Sequence, residues 1–304
     1  MTVILFFAGL VGLLLGGEAL VRGAVAVARR FKVPPLVIGL TIVGFGTSAP
    51  ELLVAVQAAL AGVPDIAVGN VIGSNIANTL LIMGLAAAVS PVALPFASVK
   101  RDFAIMIGAT LVVWLMFANG VLGRWEGILL LGALGTYLCA CFRTTCDDAD
   151  ADEAPQYPTW MAVLLIVAGL VGLMLGARAL VDSATEIARA MGVSEAVIGL
   201  TIVAIGTSLP ELATALMAAY RGQGALAVGN VIGSNILNLL AILGTTAVIT
   251  PIPIAARFMG VDMTLAFLAA LALVALSYLH DRISRRMGFA GLGIYAVYML
   301  WLGV

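Results

Sequence analysis

Two glutamates stand where a carboxylate is costly. Glu51 and Glu211 each sit well inside an apolar stretch, directly after a proline, in the segments GTSAPE (46–51) and GTSLPE (206–211). A charge at the bilayer centre costs ~2.5–3.5 kcal/mol on insertion scales. One such glutamate is compatible with a protonated side chain that merely hydrogen-bonds a neighbouring helix. Two with the same flanks, 160 residues apart, point to an ion or substrate pathway. Pro50 and Pro210 each remove a helix N–H and clash with the carbonyl one turn earlier, at Gly46 and Gly206. The carbonyls from Gly44 to Thr47 and from Ala204 to Thr207 are therefore expected to leave the helix ladder. At this depth such backbone is tolerated only where it lines a cavity or packs in protein. Thr47 and Ser48 share a helix face with Glu51, as Thr207 and Ser208 do with Glu211. These are hard oxygen donors, which suit calcium, magnesium or sodium better than zinc or copper.

A second oxygen stripe follows each glutamate. Asn70, Ser74 and Asn78 are spaced by four, as are Asn230, Ser234 and Asn238. Interhelical hydrogen bonding is the plain alternative to ligation. We assign ligation to Ser74, Asn78, Ser234 and Asn238, and structural polar contacts to Asn70 and Asn230. Asn75 and Asn235 lie off this face and are assigned to support of the loop backbone. Gly69 and Gly73, like Gly229 and Gly233, form small-xxx-small pairs for close helix packing. Two nearby carboxylates repel unless a cation lies between them or one is protonated. One Ca²⁺, two Na⁺ or two protons would neutralise the pair. A site that holds one class of cation at a time is the physical basis of exchange.

The elements that must position these residues are membrane helices. The 304 residues are 62% hydrophobic and only 10% charged, with a mean hydropathy of +1.15. A soluble domain carries about 25% charged residues. The net charge of −1 leaves no basic patch for nucleic acid. Runs long enough for helices of roughly 20 residues fall at 3–21, 35–61, 66–90, 103–119, 125–142, 159–181, 195–220, 225–249, 261–279 and 288–303. The first is read as a retained helix, not a signal peptide, because no basic residue precedes it. With the N-terminus outside, inner connections hold eleven of the fifteen Lys and Arg residues; the outer ones hold Arg124, Arg178, Arg189 and Arg257. The positive-inside rule then puts both termini on the extracytoplasmic side. Cys139, Cys141 and Cys146 fall at the inner end of span five and are read as free thiols. The acidic run 147–153 reads as a solvated loop, since it lacks the glycine and ligand spacing of an EF-hand. Glu18 with Arg22 and Arg178 with Asp182 read as i,i+4 ion pairs. Asp102, Glu126, Asp262, His280 and Asp281 read as solvated flanks at helix ends.

One offset organises the chain. GLVGLLLGGEAL (9–20) recurs as GLVGLMLGARAL (169–180), and AVGNVIGSNIAN (67–78) as AVGNVIGSNILN (227–238). From Val37 to Leu80, 29 of 44 positions match the residue 160 further on. The expected architecture is an all-α polytopic membrane protein of ten transmembrane helices. Residues 1–142 and 159–304 form two five-helix repeats, joined by a cytoplasmic linker at 143–158. An odd span count per repeat inverts the second copy, and such pairs place a site near the midplane on interrupted helices.

GTSAPE, GTSLPE and the two GNVIGSN stretches (69–75 and 229–235) resemble the paired α-repeats of the cation/calcium exchanger superfamily, sodium/calcium exchanger type. The resemblance implies exchange of Na⁺ for Ca²⁺ by alternating access, without a cofactor. It implies that Glu51 and Glu211 bind Ca²⁺ with the carbonyls of Thr47 and Thr207. Ser48, Ser74, Ser208 and Ser234, with the carbonyls of Gly44 and Ala204, would complete sodium sites, and Asn78 and Asn238 would flank the centre. The first and sixth spans would slide across a fixed core as a gating pair. Many relatives carry Asp at one or both positions matching Asn78 and Asn238, so Asn at both argues against potassium co-transport. The lack of a large domain between the halves suits a minimal exchanger of a prokaryotic plasma membrane. The proton/calcium branch is the runner-up, and a cation channel a further alternative. A membrane enzyme would need a nucleophile–base pair or a His cluster, and His280 alone supplies neither.

Overall fold

The computed structural model describes residues 2–143, 157–192 and 204–302. The acidic run 147–153, Cys146 and the start of the seventh predicted span lie outside the described residues. The first half runs α1 (Thr2–Phe31), α2 (Pro35–Ile38), a π-helical turn (Gly39–Val43), α3 (Gly44–Thr47), α4 (Ala49–Leu60), α5 (Pro64–Ile76), a second π segment (Ala77–Ile82), α6 (Met83–Val89), β1 (Val92–Ala93), α7 (Phe96–Phe117), β2 (Val121–Leu122) and α8 (Arg124–Arg143). The second half is described from α9 (Thr159–Ala190). It continues through α10 (Ala204–Gly206), α11 (Leu209–Tyr220), α12 (Gly224–Leu237), a π segment (Asn238–Ile242), α13 (Leu243–Ile249), β3 (Ile252–Pro253), a π turn (Phe258–Asp262), α14 (Met263–His280), β4 (Arg282–Ile283) and α15 (Arg285–Trp301).

Among the described residues, five helical stretches are long and apolar enough to cross a bilayer: Thr2–Phe31, Pro64–Val89, Thr159–Ala190, Gly224–Ile249 and Phe258–His280. A sixth is the pair Pro35–Thr47 and Ala49–Leu60, bent by 44°. The chain is a multi-pass membrane protein. The other predicted spans hold α7, α8, α10 with α11, and α15. Helix α1 continues ten residues past the predicted span because Ala24, Ala26, Val27 and Ala28 are still buried there. It ends at Lys32, whose φ of 53° breaks the helix ahead of Pro34 and Pro35. The tight turns after α4 and α11 use Gly62 (φ 74°) and Gly222 (φ 70°), a region in which a side chain would be strained.

The all-α expectation needs one correction. Two short antiparallel ladders tie the halves together, with Val92 opposite Ile283 and Leu122 opposite Ile252. Two residues per strand are too few to carry an alternating pattern to read.

Helices α1 and α9 pack along the repeated glycine-rich segments. A Cβ on Gly16 would lie 2.7 Å from Leu173 N, and one on Gly169 would lie 2.5 Å from Leu20 N. Gly9 lies against Leu180 and Gly23 against Ile166, so the two helices run antiparallel with backbones in contact. The pair lies at the side of a core whose centre is the stretch Gly224–Ile249, buried throughout from Leu226 to Gly244. The first broken helix docks on that centre through Gly39, whose Cβ would lie 2.7 Å from Leu226 O, and Gly233, whose Cβ would lie 2.5 Å from Leu40 O.

Candidate functional site

Both glutamates begin a helix after a break. Ser48 (φ −81°, ψ 4°) and Ser208 (φ −89°, ψ 6°) hold the same sparsely populated bridge conformation, and neither caps its helix with its side chain. Glu51 and Glu211 therefore fall in the first turns of α4 and α11, where the helix dipole favours negative charge. Each glutamate is only 1% exposed.

The freed serine hydroxyls cross between the halves. Ser48 donates to Glu211 Oε1 (3.2 Å), and Ser208 lies 3.3 Å from both Glu51 Oε1 and Ser74 Oγ. Thr47 Oγ1 lies 3.3 Å from Asn230 Oδ1, and Thr207 Oγ1 lies 3.4 Å from Asn70 Oδ1. Asn230 in turn donates to the Glu211 carbonyl (3.3 Å), and Asn70 to the Glu51 carbonyl (3.1 Å). Asn70 and Asn230 are thus the structural contacts expected of them, each joining a residue of one broken helix to a glutamate backbone of the other.

Among the described residues, buried side-chain atoms without a partner include Glu51 Oε2, Glu211 Oε2, Asn78 Oδ1, Asn238 Oδ1 and Ser234 Oγ. All five are oxygens of residues assigned to the site from sequence. A buried acceptor without a donor is costly, and a cation satisfies several at once. The donor set fits a hard cation. No group of three or more His, Cys, Asp or Glu that could hold a metal ion occurs among the described residues. Asn78 and Asn238 both lie in π segments, a distortion frequent at functional sites.

Three expectations change. The Gly44 carbonyl is not free, because Ser48 N–H donates to it at 3.0 Å. At the matching break Ser208 N–H turns instead to Ile205 O (3.1 Å). Asn75 and Asn235 do not support loops; they bridge the halves beside Asn78 and Asn238. Asp102 and Asp262 are buried rather than solvated. Asp102 pairs with Arg101 (3.1 Å), while Asp262 accepts from Tyr298 (2.9 Å) and faces Arg257 (3.7 Å). The repeat itself held the signal, since Asp102 and Asp262 also stand 160 apart. Glu18 does pair with Arg22, and additionally with Arg221 beyond α11. Cys139 is exposed and Cys141 buried, both free thiols.

Fold and site together define a multi-pass membrane protein with a buried, oxygen-rich, doubly acidic cluster on broken helices. Residues 1–143 and 161–304 match the family described as sodium/calcium exchanger protein, and the chain belongs to that family. It is 42% identical over 278 residues to the candidate antiporter CaxA of Alkalimonas amylolytica, covering 88% of this chain and 87% of that protein. It is 29% identical to the sodium/calcium exchanger MaX1 of Methanosarcina acetivorans, covering 97% and 96%. The fold matches a structure of the sodium-calcium exchanger NCX_Mj soaked with 10 mM Na⁺ and zero Ca²⁺, with a TM-score of 0.88, 31% identity and 98% of each chain covered.

Proposed function

We propose that the protein is a secondary active antiporter that exchanges Na⁺ for Ca²⁺ by alternating access. The crossed carboxylate pair carries the proposal. Glu51 and Glu211 each receive one serine hydroxyl from the other half and keep a second oxygen without a donor. One Ca²⁺ or two Na⁺ would neutralise the pair, whereas an empty site at −2 is costly to carry across. The site then binds one class of cation at a time and turns over only when filled. In this reading Glu51 and Glu211 hold Ca²⁺ with the carbonyls of Thr47 and Thr207. Ser48, Ser74, Ser208 and Ser234, with the carbonyls of Gly44 and Ala204, hold Na⁺, and Asn78 and Asn238 flank the centre. A carbonyl oxygen has two lone pairs, so Gly44 can ligate while it keeps its backbone bond.

The architecture proposed with it is ten spans in two inverted five-helix repeats, 1–142 and 159–304, with both termini outside the plasma membrane of a prokaryote. The parallel order of elements in the two halves supports it. So do the strand pairs: β1 with β4 joins two loops assigned to the inner face, and β2 with β3 joins two assigned to the outer face. Helices α1 and α9 form the sliding pair.

Calcium uptake into proteoliposomes, with and without an outward sodium gradient, tests the function. We expect uptake that follows the sodium gradient. Uptake driven by a proton gradient instead would move the reading to H⁺/Ca²⁺ exchange. Uptake indifferent to any counter-ion would move it to a channel.

A further inference from the structure

Asn78 and Asn238 offer a cation their carbonyl oxygens only if their amides cannot flip. We propose that Asn75, Asn235 and Thr79 form a crossed clasp that fixes those amides with Oδ1 toward the site. This inference rests on the cation site proposed above.

The network can be followed from fixed acceptors. Asn75 Nδ2 donates to the backbone carbonyl of Asn235 (3.2 Å), and a carbonyl cannot donate back. Asn75 Oδ1 is therefore the acceptor that meets Asn238 Nδ2 at 2.9 Å. Thr79 spends its only proton on the backbone carbonyl of Asn75 (2.9 Å). Its lone pair then accepts Asn235 Nδ2 at 2.9 Å. That leaves Asn235 Oδ1 to accept Asn78 Nδ2 at 3.1 Å. With each Nδ2 committed, the oxygens of Asn78 and Asn238 are the free arms, and both are buried without a donor. All five side chains are buried, so water does not compete for these bonds.

The clasp is crossed and unequal. Asn75 orients Asn238, and Asn235 orients Asn78, so each half aims a ligand of the other. Thr79 has no counterpart, because the matching residue is Leu239. The chain of fixed donors on the Asn78 arm therefore depends on one hydroxyl.

Asn75 and Asn235 are positioning residues, and a double-mutant cycle separates that role from packing. The readout is equilibrium ⁴⁵Ca²⁺ binding to the purified full-length protein in detergent, with thermal unfolding in cation-free buffer alongside. Asn75→Leu keeps volume and removes the acceptor, so the amide of Asn238 can turn its NH₂ to the cation. We expect about a tenfold rise in Kd, the scale of a hydrogen bond to a charged group. In an Asn238→Ala background the same change should have less than about a twofold effect; in an Asn78→Ala background it should keep its full effect. Asn235→Leu should show the reverse pattern. Thr79→Val keeps the side-chain shape and should weaken binding through Asn78 alone, which provides the test if the Leu variants do not fold. Equal effects in both backgrounds, or coupling to the Asn of the same half, would overturn the clasp. Glu51→Gln is the control. Lost calcium binding there with additive Asn effects would refute only the clasp. Unchanged binding there would refute the site, and the clasp's role with it.

Discussion

Glu51→Gln tests the site most directly. The amide matches the carboxyl in size, and its oxygen can still accept the Ser208 hydroxyl now 3.3 Å from Oε1. Packing is preserved and one charge is lost. A carboxylate has about four lone-pair sites, yet the side-chain hydrogen bonds reach Oε1 only and leave Oε2 bare. Hydrogen bonds therefore do not balance the charge, which leaves that role to a bound cation or a proton. Removing one partner from a buried ion pair costs ~3–5 kcal/mol, which corresponds to a rise in calcium Kd of roughly 10²- to 4×10³-fold. The Coulomb term scales with the product of charges. Sodium should lose about half as much on a logarithmic scale, roughly 10- to 60-fold. Glu211→Gln should behave alike, because Ser48 meets Glu211 at 3.2 Å in the same way. Calcium binding in detergent, sodium competition and proteoliposome flux measure all three quantities. Sodium-driven calcium flux retained in either variant would refute the assignment. So would equal losses for Na⁺ and Ca²⁺, since a site held by charge must distinguish them.

Two further predictions concern the helices that would move. Glu18 of α1 accepts Arg221 Nε (2.8 Å), which tethers α1 to the end of α11. Both residues are partly exposed, so Arg221→Gln should release about 0.2–1 kcal/mol. It should speed amide hydrogen exchange in α11 by up to ~fivefold and leave α4 unchanged; equal acceleration in both helices would rule the tether out. Gly169→Ala places a methyl group 2.5 Å from Leu20 N and 2.8 Å from Gly16 O. The helices must part by about 1 Å, and overpacking of this kind costs ~1–3 kcal/mol. We expect flux to fall about tenfold, while Gly132→Ala, with nothing within 4 Å, leaves it unchanged. Equal flux in the two variants would show that α1 and α9 need no close contact.

Much of the site was legible because its residues obey two sequence rules together. Ser48, Glu51, Ser74 and Asn78 satisfy the helical spacing that puts them on shared faces, and each recurs 160 positions later. Pro50 and Pro210 announced the helix breaks through missing donors. Spacing tells which face a residue is on, but not what lies opposite. The Ser48–Glu211 and Ser208–Glu51 bonds, and the role of Asn75 and Asn235, emerge only when the halves are packed together. The π segments were also invisible, since one extra residue in a helical turn leaves the composition unchanged. Asp102 and Asp262 were misread because a charge at the end of an apolar run resembles a solvated flank. Tyr298 reaches Asp262 from a helix 36 residues on, beyond any local pattern.

Matching positions of the two halves do not sit in identical surroundings, and that difference bears on the proposed alternation. Ala213 on α11 is covered by α1, where a Cβ on Gly17 would lie 3.1 Å from Ala213 O. Its counterpart on α4, Leu53, is 58% exposed. The Glu18–Arg221 tether has no equivalent in the other half, where the matching residues are Arg178 and Ala61. Arg178 pairs instead with Asp182 on its own exposed helix surface. If two repeats of one sequence pattern adopt unequal packings, each packing is accessible to that pattern. Exchanging them between the halves then produces a second state of similar energy. The tether and the closer fit of α1 on α11 bias the equilibrium toward the packing seen here. Alternation therefore requires that bias to stay small, which is why a partly exposed ion pair worth under about 1 kcal/mol suits this position better than a buried one.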